Sequence, residues 1–448
     1  MVAFVNPFHG CRTLAPSRIA ASLALSIAMA LSGCQTLPTF PDTQSQSLHS
    51  AKADSIASHE FALDAGQTMV GELATVDSRA NDTLSDLARH YGLGYNDIAL
   101  ANANLDPWTL TDQQSVLLPL QFILPEAPRK GIVLNLANMR MFYYPKNQTN
   151  SLLTYPVGIG RDGWNTPLGT TQIVAKKANP EWTVPESIHR EHQELGDPLP
   201  KVIRSGPDNP LGKYAMPLGI SGYLIHGTNK PYGIGMQVSH GCVQLYPEDI
   251  EVLFNKVDVG TPVRIVHQPY LIAWERDMLY LEAHQPLEKW AKQEKQLQKE
   301  ARKKLEKIAR EQHVEIDWPR VDAVLQKADG IPVPVSQPSP DLAELKLDAT
   351  QLQHPDRLYG QPEVNELTDA DWSIVAASFA EESEAQKLTA MLNHQGPPIP
   401  TRKISKDGVY QVIAGPFKTK KEAKTVAKRI NSSFDLEAKT VQPRTMQN

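Results

Sequence analysis

The chain has 448 residues, with 45 Lys+Arg against 50 Asp+Glu for a formal charge of −5. That balance offers no general field for nucleic acid, and no basic stripe with interleaved aromatics occurs. With 41% apolar and 21% charged residues, the chain can build packed cores but is too polar to be a multi-span membrane protein. Its 35 prolines, about 8% against a usual level near 5%, point to loops, edge strands and linkers, and the length alone suggests about three domains.

The first element is not part of the fold. Arg12 and Arg18 precede the apolar run IAASLALSIAMAL, Ile19 to Leu31, which exits into Ser32-Gly33-Cys34. A basic lead, a short apolar centre and small residues at the exit make a secretory signal, too short to stay as a span of a ~30 Å hydrocarbon core. Leu31-Ser32-Gly33-Cys34 resembles the bacterial lipobox. That resemblance implies that Cys34, which closes the signal segment 1–34, becomes the lipidated N-terminus, and Gln35 implies the outer membrane of a Gram-negative envelope; plain signal cleavage is the alternative. Of the three cysteines, Cys11, Cys34 and Cys242, only Cys242 is then a free thiol, in an oxidising compartment where thiols are normally paired. Such a thiol is either an apolar filler or a nucleophile.

Residues 35–67 read as a flexible Ser/Gln/Thr-rich tether. Over 68–125, Asp82-Thr83-Leu84 opens a helix with Leu84, Leu87, Ala88 and Tyr91 on one face, a second helix runs from about Asn96 to Asn102, and Val116 to Pro119 forms a strand. DTLSDLARHYGLGYNDIALANANLDPW resembles the LysM peptidoglycan-binding module. From 130 to 268, short strands are separated by Gly/Pro/Asn turns and interrupted by a helix only at Pro247 to Lys256, which predicts a mainly β sandwich or small barrel. A charged helical extension over 270–318 carries the helix Glu288 to Gln312, and a proline-rich linker covers 319–368. Over 369–443 the order is β-α-β-β-α-β, with WSIVAASF and QVIAGPF at equivalent places. This small α+β, ferredoxin-like unit resembles the SPOR domain, which implies binding to glycan strands stripped of stem peptides, with Trp372 or Tyr410 available to stack on sugar rings.

Two segments carry the chemistry: Tyr223-Leu224-Ile225-His226-Gly227-Thr228 and Ser239-His240-Gly241-Cys242-Val243-Gln244-Leu245. A thiol attacks as its thiolate, which is scarce at neutral pH, and an adjacent imidazole can take its proton and return it to a leaving amine. Gly241 lets backbone N–H groups approach a developing oxyanion. A zinc site would need His226, His240 and Cys242 with an open position or a fourth ligand. A papain-like amidase would place its cysteine before its histidine, the reverse of the order here.

SHGCVQL with the upstream IHGT resembles the L,D-transpeptidase (YkuD) catalytic domain, and the likeness extends through YPVGIG, TPLG, NPEW and GPDNPLG. The resemblance implies Cys242 as nucleophile on the diaminopimelate–D-alanine amide of a tetrapeptide donor. It implies His226 as base oriented by the Gly227 carbonyl, His240 in support, Gly241 and Cys242 N–H groups at the oxyanion, Ser239 at the family's Ser/Thr position, and Tyr223 and Gln244 at the substrate. No metal or other cofactor is implied. Where the family commonly carries Arg or Asn, Gln244 offers a neutral amide that cannot make the bidentate charged contact of Arg. The acceptor can be a second stem peptide or a lysine of an outer-membrane lipoprotein. An L,D-carboxypeptidase using water, and a non-catalytic peptidoglycan-binding lipoprotein, are the alternatives.

Overall fold

The computed structural model describes residues 59–148, 150–194 and 198–443. The expected signal with Cys34, and the tether as far as residue 58, lie outside the described residues. From residue 59 the tether reading needs correction: Glu60–Ala62 is a strand that pairs antiparallel with Ser151–Pro156, and Leu63 is buried.

The centre of the molecule is a six-stranded sheet ordered Glu60–Ala62, Ser151–Pro156, Arg140–Tyr144, Gly131–Asn135, Pro262–Val266, Gly169–Gln172. A four-stranded sheet, Lys177–Ala178, Tyr214–Pro217, Leu224–His226, Val243–Gln244, packs against it as a sandwich. Alternation along the central strands explains their almost unbroken apolar sequences. Ile132, Leu134, Met141 and Tyr143 enter the core shared with Met216, Ile225 and Val243, whereas Val133, Phe142 and Tyr144 point the opposite way, into a core shared with Leu84, Leu87, Ile98 and Val116. A strand covered on both faces has no polar side to show.

The second of those cores belongs to the helical module. Its first helix, Leu84–His90, is opened by Thr83, whose side chain accepts from Asp86 N–H while the Asp86 carboxylate accepts from Thr83 N–H, a reciprocal capping arrangement. Tyr95–Ala101 follows, and Ala74–Asp77 pairs antiparallel with Ser115–Leu118.

Residues 319–368 are not an extended linker. Ile331, Val333 and Val335 are buried, and Val333–Pro334 pairs with Met278–Ala283 of the hairpin Tyr270–Glu275/Met278–Ala283. The helices Glu294–Gln312 and Trp318–Lys327 cover that hairpin through Ala301, Leu305, Val321 and Leu325. Thr350–Leu352 then adds a parallel strand to Ala74–Asp77. The prolines occupy edge and end positions, where a missing N–H costs no ladder bond, and the alternating Ile331, Val333 and Val335 provide the anchoring. The expected charged extension therefore begins with a β-hairpin and forms part of a packed unit.

The C-terminal unit has the expected β-α-β-β-α-β order, with sheet order Thr401–Lys406, Val409–Phe417, Trp372–Phe379, Lys439–Val441 and helices Glu382–Asn393 and Lys420–Phe434. Trp372 is 7% exposed and sits in the core with Ala423, Ala427 and Ile430, and Tyr410 packs partly buried against the same core. Trp372 is therefore a packing residue and not a surface platform for sugars.

Charged side chains join this unit to the rest. His394 bonds the buried Asp86 carboxylate and lies 3.2 Å from Arg89 Nη1. Arg89 in turn makes a fork on Glu248 at 2.8 and 2.9 Å, and Gly396 N–H donates to Asn229 O at 2.8 Å. One arginine thus links the helical module, the helix Pro247–Lys256 and the C-terminal unit.

Candidate active site

Strand pairing brings the two motifs together. Leu224–His226 and Val243–Gln244 run parallel, with Ile225 opposite Val243 and His226 opposite Gln244. Ile225 and Val243 point into the sandwich core. Alternation puts His226 and Gln244 on the other face, and carried back one residue it puts Cys242 there too. The chain between the motifs turns through Pro231–Gly233 and Gln237–Ser239, the latter pairing with Ile159–Gly160.

His226 is buried, and its Nδ1 lies 2.6 Å from Gly227 O. A carbonyl only accepts, so the proton sits on Nδ1 and Nε2 carries the lone pair. Burial holds the ring well below its ordinary value, at about 4, against opposing hydrogen bonds to Gly227 and Leu211. The imidazole is neutral at physiological pH. Burial likewise pushes the Cys242 thiol up to about 11, with a backbone hydrogen bond at Leu224 pulling the other way, and Sγ donates to Gly222 O at 3.7 Å. The resting pair is thiol and neutral imidazole, a neutral couple that keeps both charges out of a low-dielectric site until a substrate arrives.

The turn before Cys242 is fixed by Ser239 and Gly241. Ser239 Oγ donates to Cys242 O at 2.6 Å and accepts from Gly241 N–H at 3.2 Å. This corrects one expectation: the Gly241 N–H is bonded to Ser239 and is not directed at an oxyanion. Gly241 is needed for its conformation, with φ +102°, and because a Cβ there would stand 2.8 Å from Tyr223 Cε1. Tyr223 therefore lies over the turn. Gln244 exchanges backbone bonds with Gly158 at 2.8 and 2.9 Å.

Sequence reasoning missed a second layer. Thr166 Oγ1 donates to Gly241 O at 2.9 Å and accepts from Gly160 N–H at 3.2 Å. Gly160 allows the loop to close, since a Cβ would lie 2.0 Å from Trp164 O. The Trp164 ring meets His240 edge-on at 4.9 Å, and the His240 Nε2 points to Glu191 and Arg161. Glu191 sits on the helix Glu186–Glu194, an element not expected within 130–268. Its one buried residue is Ile188, too little for a visible 3.6 period; Pro185 and the acidic Glu186 were the available start signals. Among the described residues no group of three or more His, Cys, Asp or Glu side chains could hold a metal.

Residues 129–265 match the L,D-transpeptidase catalytic domain, 79–110 the LysM domain and 368–438 the SPOR domain. A probable L,D-transpeptidase of Escherichia coli K12, YbiS, is 42% identical over 226 residues, half of this chain and 73% of that protein. This chain belongs to the L,D-transpeptidase family. The probable L,D-transpeptidase ErfK/SrfK of the same organism is 37% identical over 281 residues, 61% of this chain and 89% of that protein. The probable L,D-transpeptidase YcfS is 41% identical over 229 residues, half of this chain and 71% of that protein. The chain is an enzyme of this class, multidomain, with peptidoglycan as its partner, and its place is the periplasm.

Proposed function

We propose that Cys242 is the nucleophile and His226 the proton carrier of a transpeptidation that cleaves the diaminopimelate–D-alanine amide of a tetrapeptide stem. The observation that supports this reading is the parallel pairing that sets His226 opposite Gln244, two residues after Cys242, with the imidazole Nδ1 bonded to Gly227 O and Nε2 left as acceptor. The thiol proton passes to Nε2 as sulfur bonds to the carbonyl carbon. Nε2 then gives that proton to the departing D-alanine nitrogen as the C–N bond breaks, leaving a thioester on Cys242. An acceptor amine attacks the thioester, its proton returns through His226, and the C–S bond breaks to restore the thiol. His240 supports the turn, Ser239 fixes the backbone that presents Cys242, and Tyr223 and Gln244 border the substrate.

In this reading the acceptor is an amine of a second stem peptide or of an outer-membrane lipoprotein. Lipidation at Cys34 would hold the enzyme at the outer membrane by several acyl chains, at ~0.8 kcal/mol per buried methylene, and the LysM and SPOR units would retain it on the wall. The test is incubation of the purified chain with disaccharide-tetrapeptides, with products read by mass. Cross-linked dimer and free D-alanine are expected. Tripeptide monomer alone would replace transfer by hydrolysis, and no product with or without a lipoprotein acceptor would overturn the reading.

A further inference from the structure

Beside Cys242 the protein holds one of its own carboxylates in a place shaped for another. The Glu191 Oε2 lies 2.8 Å from His240 Nε2, its Oε1 is bonded by Arg161 Nη2, and that same Nη2 lies 3.1 Å from His240 Nε2. A single ring nitrogen cannot donate to a carboxylate and accept from a guanidinium in the same state. The group that satisfies both neighbours is the carboxylate, which accepts from each. Arg161 and His240 thus form a two-donor cradle, and Glu191 fills it.

The cradle is within reach of a substrate. The side chains of Arg161, Glu191 and His240 are 39%, 26% and 25% exposed. Arg161 is tied by its backbone to the catalytic turn, its N–H donating to Ser239 O at 2.9 Å, and His240 is two residues before Cys242. Glu191 is on a nine-residue helix anchored by Ile188. Released to solvent, it would regain water in exchange for an ion pair of low net value at such exposure. An arginine fork beside a histidine is suited to a planar carboxylate, whereas the neutral amide of Gln244 provides no charged contact.

We propose that Arg161 and His240 form a carboxylate subsite for the donor stem peptide, with Glu191 as an internal stand-in that the substrate displaces. This rests on the transpeptidase reading above and assigns the specificity of the same site. Two donor groups have the required chemistry, the terminal carboxylate of D-alanine and the free carboxylate of diaminopimelate.

The test compares three donors with the full chain: the free-acid tetrapeptide, the same peptide amidated at its C-terminus, and the same peptide amidated on diaminopimelate. For the unmodified protein, kcat/KM should fall by roughly 10- to 100-fold on one amide, mainly through KM, and the amide that does so identifies the group bound. Arg161→Gln should lose that discrimination, turning over the acid and that amide equally, while Arg161→Lys should retain part of it. Glu191→Gln, which weakens the internal competitor, should lower KM for the free acid more than for that amide, widening the acid-to-amide ratio. A merely structural role would change rates on all three donors together and leave the acid-to-amide ratio as it was. An unchanged ratio in Arg161→Gln, or no discrimination by the unmodified chain, would overturn the subsite and leave the transpeptidase reading intact. No turnover of any donor by the unmodified chain would overturn both.

Discussion

Replacing Arg89 by methionine should destabilise the chain far more than the loss of one exposed ion pair would, because Arg89 is buried where three modules meet. The fork from Arg89 to Glu248 is 2.8 and 2.9 Å long and both side chains are 10% exposed. The guanidinium carbon also stands 5.4 and 5.8 Å from the rings of Tyr359 and Tyr246, so no bulk water is available to replace the lost partner. Removing one member of a buried pair leaves a bare charge, at a cost of about 3–5 kcal/mol, whereas exchanging both members for apolar residues of similar volume is often close to neutral. Arg89→Met should therefore cost about 3–5 kcal/mol, and Arg89→Met with Glu248→Leu should recover most of that loss. Urea unfolding followed by tryptophan fluorescence, with the four corners of the double-mutant cycle, measures the coupling directly. A single-mutant cost below about 1 kcal/mol, typical of an exposed pair, would refute the reasoning. So would a double mutant as unstable as the sum of the singles.

Other outcomes follow from the same structure. With the Cys242 thiol held up at about 11, the thiolate fraction at pH 7 is on the order of 10⁻⁴; alkylation by iodoacetamide should rise about tenfold per pH unit from 7 to 10, and a plateau near pH 9 would contradict the raised thiol. Gly241→Ala forces a left-handed φ and a 2.8 Å contact with Tyr223; it should lower kcat by on the order of 100-fold or more with little change in the far-ultraviolet spectrum, and normal turnover would refute the geometry of the turn. Leu305→Ala, at a fully buried position beneath the hairpin, should cost about 2–5 kcal/mol in urea unfolding, whereas a loss under about 0.5 kcal/mol would restore the picture of residues 270–318 as a charged helical extension.

The sequence was most readable where one local rule acts alone. The Thr83 cap, the strand Trp372–Phe379 and the Cys242 motif each rest on neighbouring residues, and pairing of Leu224–His226 with Val243–Gln244 needs only that the short intervening segment double back. It was least readable where tertiary packing overrides composition. Proline content gave residues 319–368 the look of a linker, yet Ile331, Val333 and Val335 find a hydrophobic pocket against Leu279, Leu281 and Leu305. The register of the C-terminal sheet decides which aromatics are core, and bulges between Trp372 and Ile374 and between Val375 and Ala377 hide it from a count of alternation. Arg161 and Glu191 lie 30 positions apart and meet only because a strongly polar helix with a single buried residue folds back onto the turn. A backbone N–H such as that of Gly241, bonded to a side chain two residues away, has no sequence signature.

The most direct test of the account is the intact mass of the protein after brief mixing with a tetrapeptide donor in the absence of acceptor. An acyl adduct that maps to Cys242, forms as D-alanine is released, disappears on addition of an acceptor amine and is absent from a folded Cys242→Ala variant is the predicted result. Turnover without any adduct on Cys242, or undiminished turnover by Cys242→Ala, would contradict it.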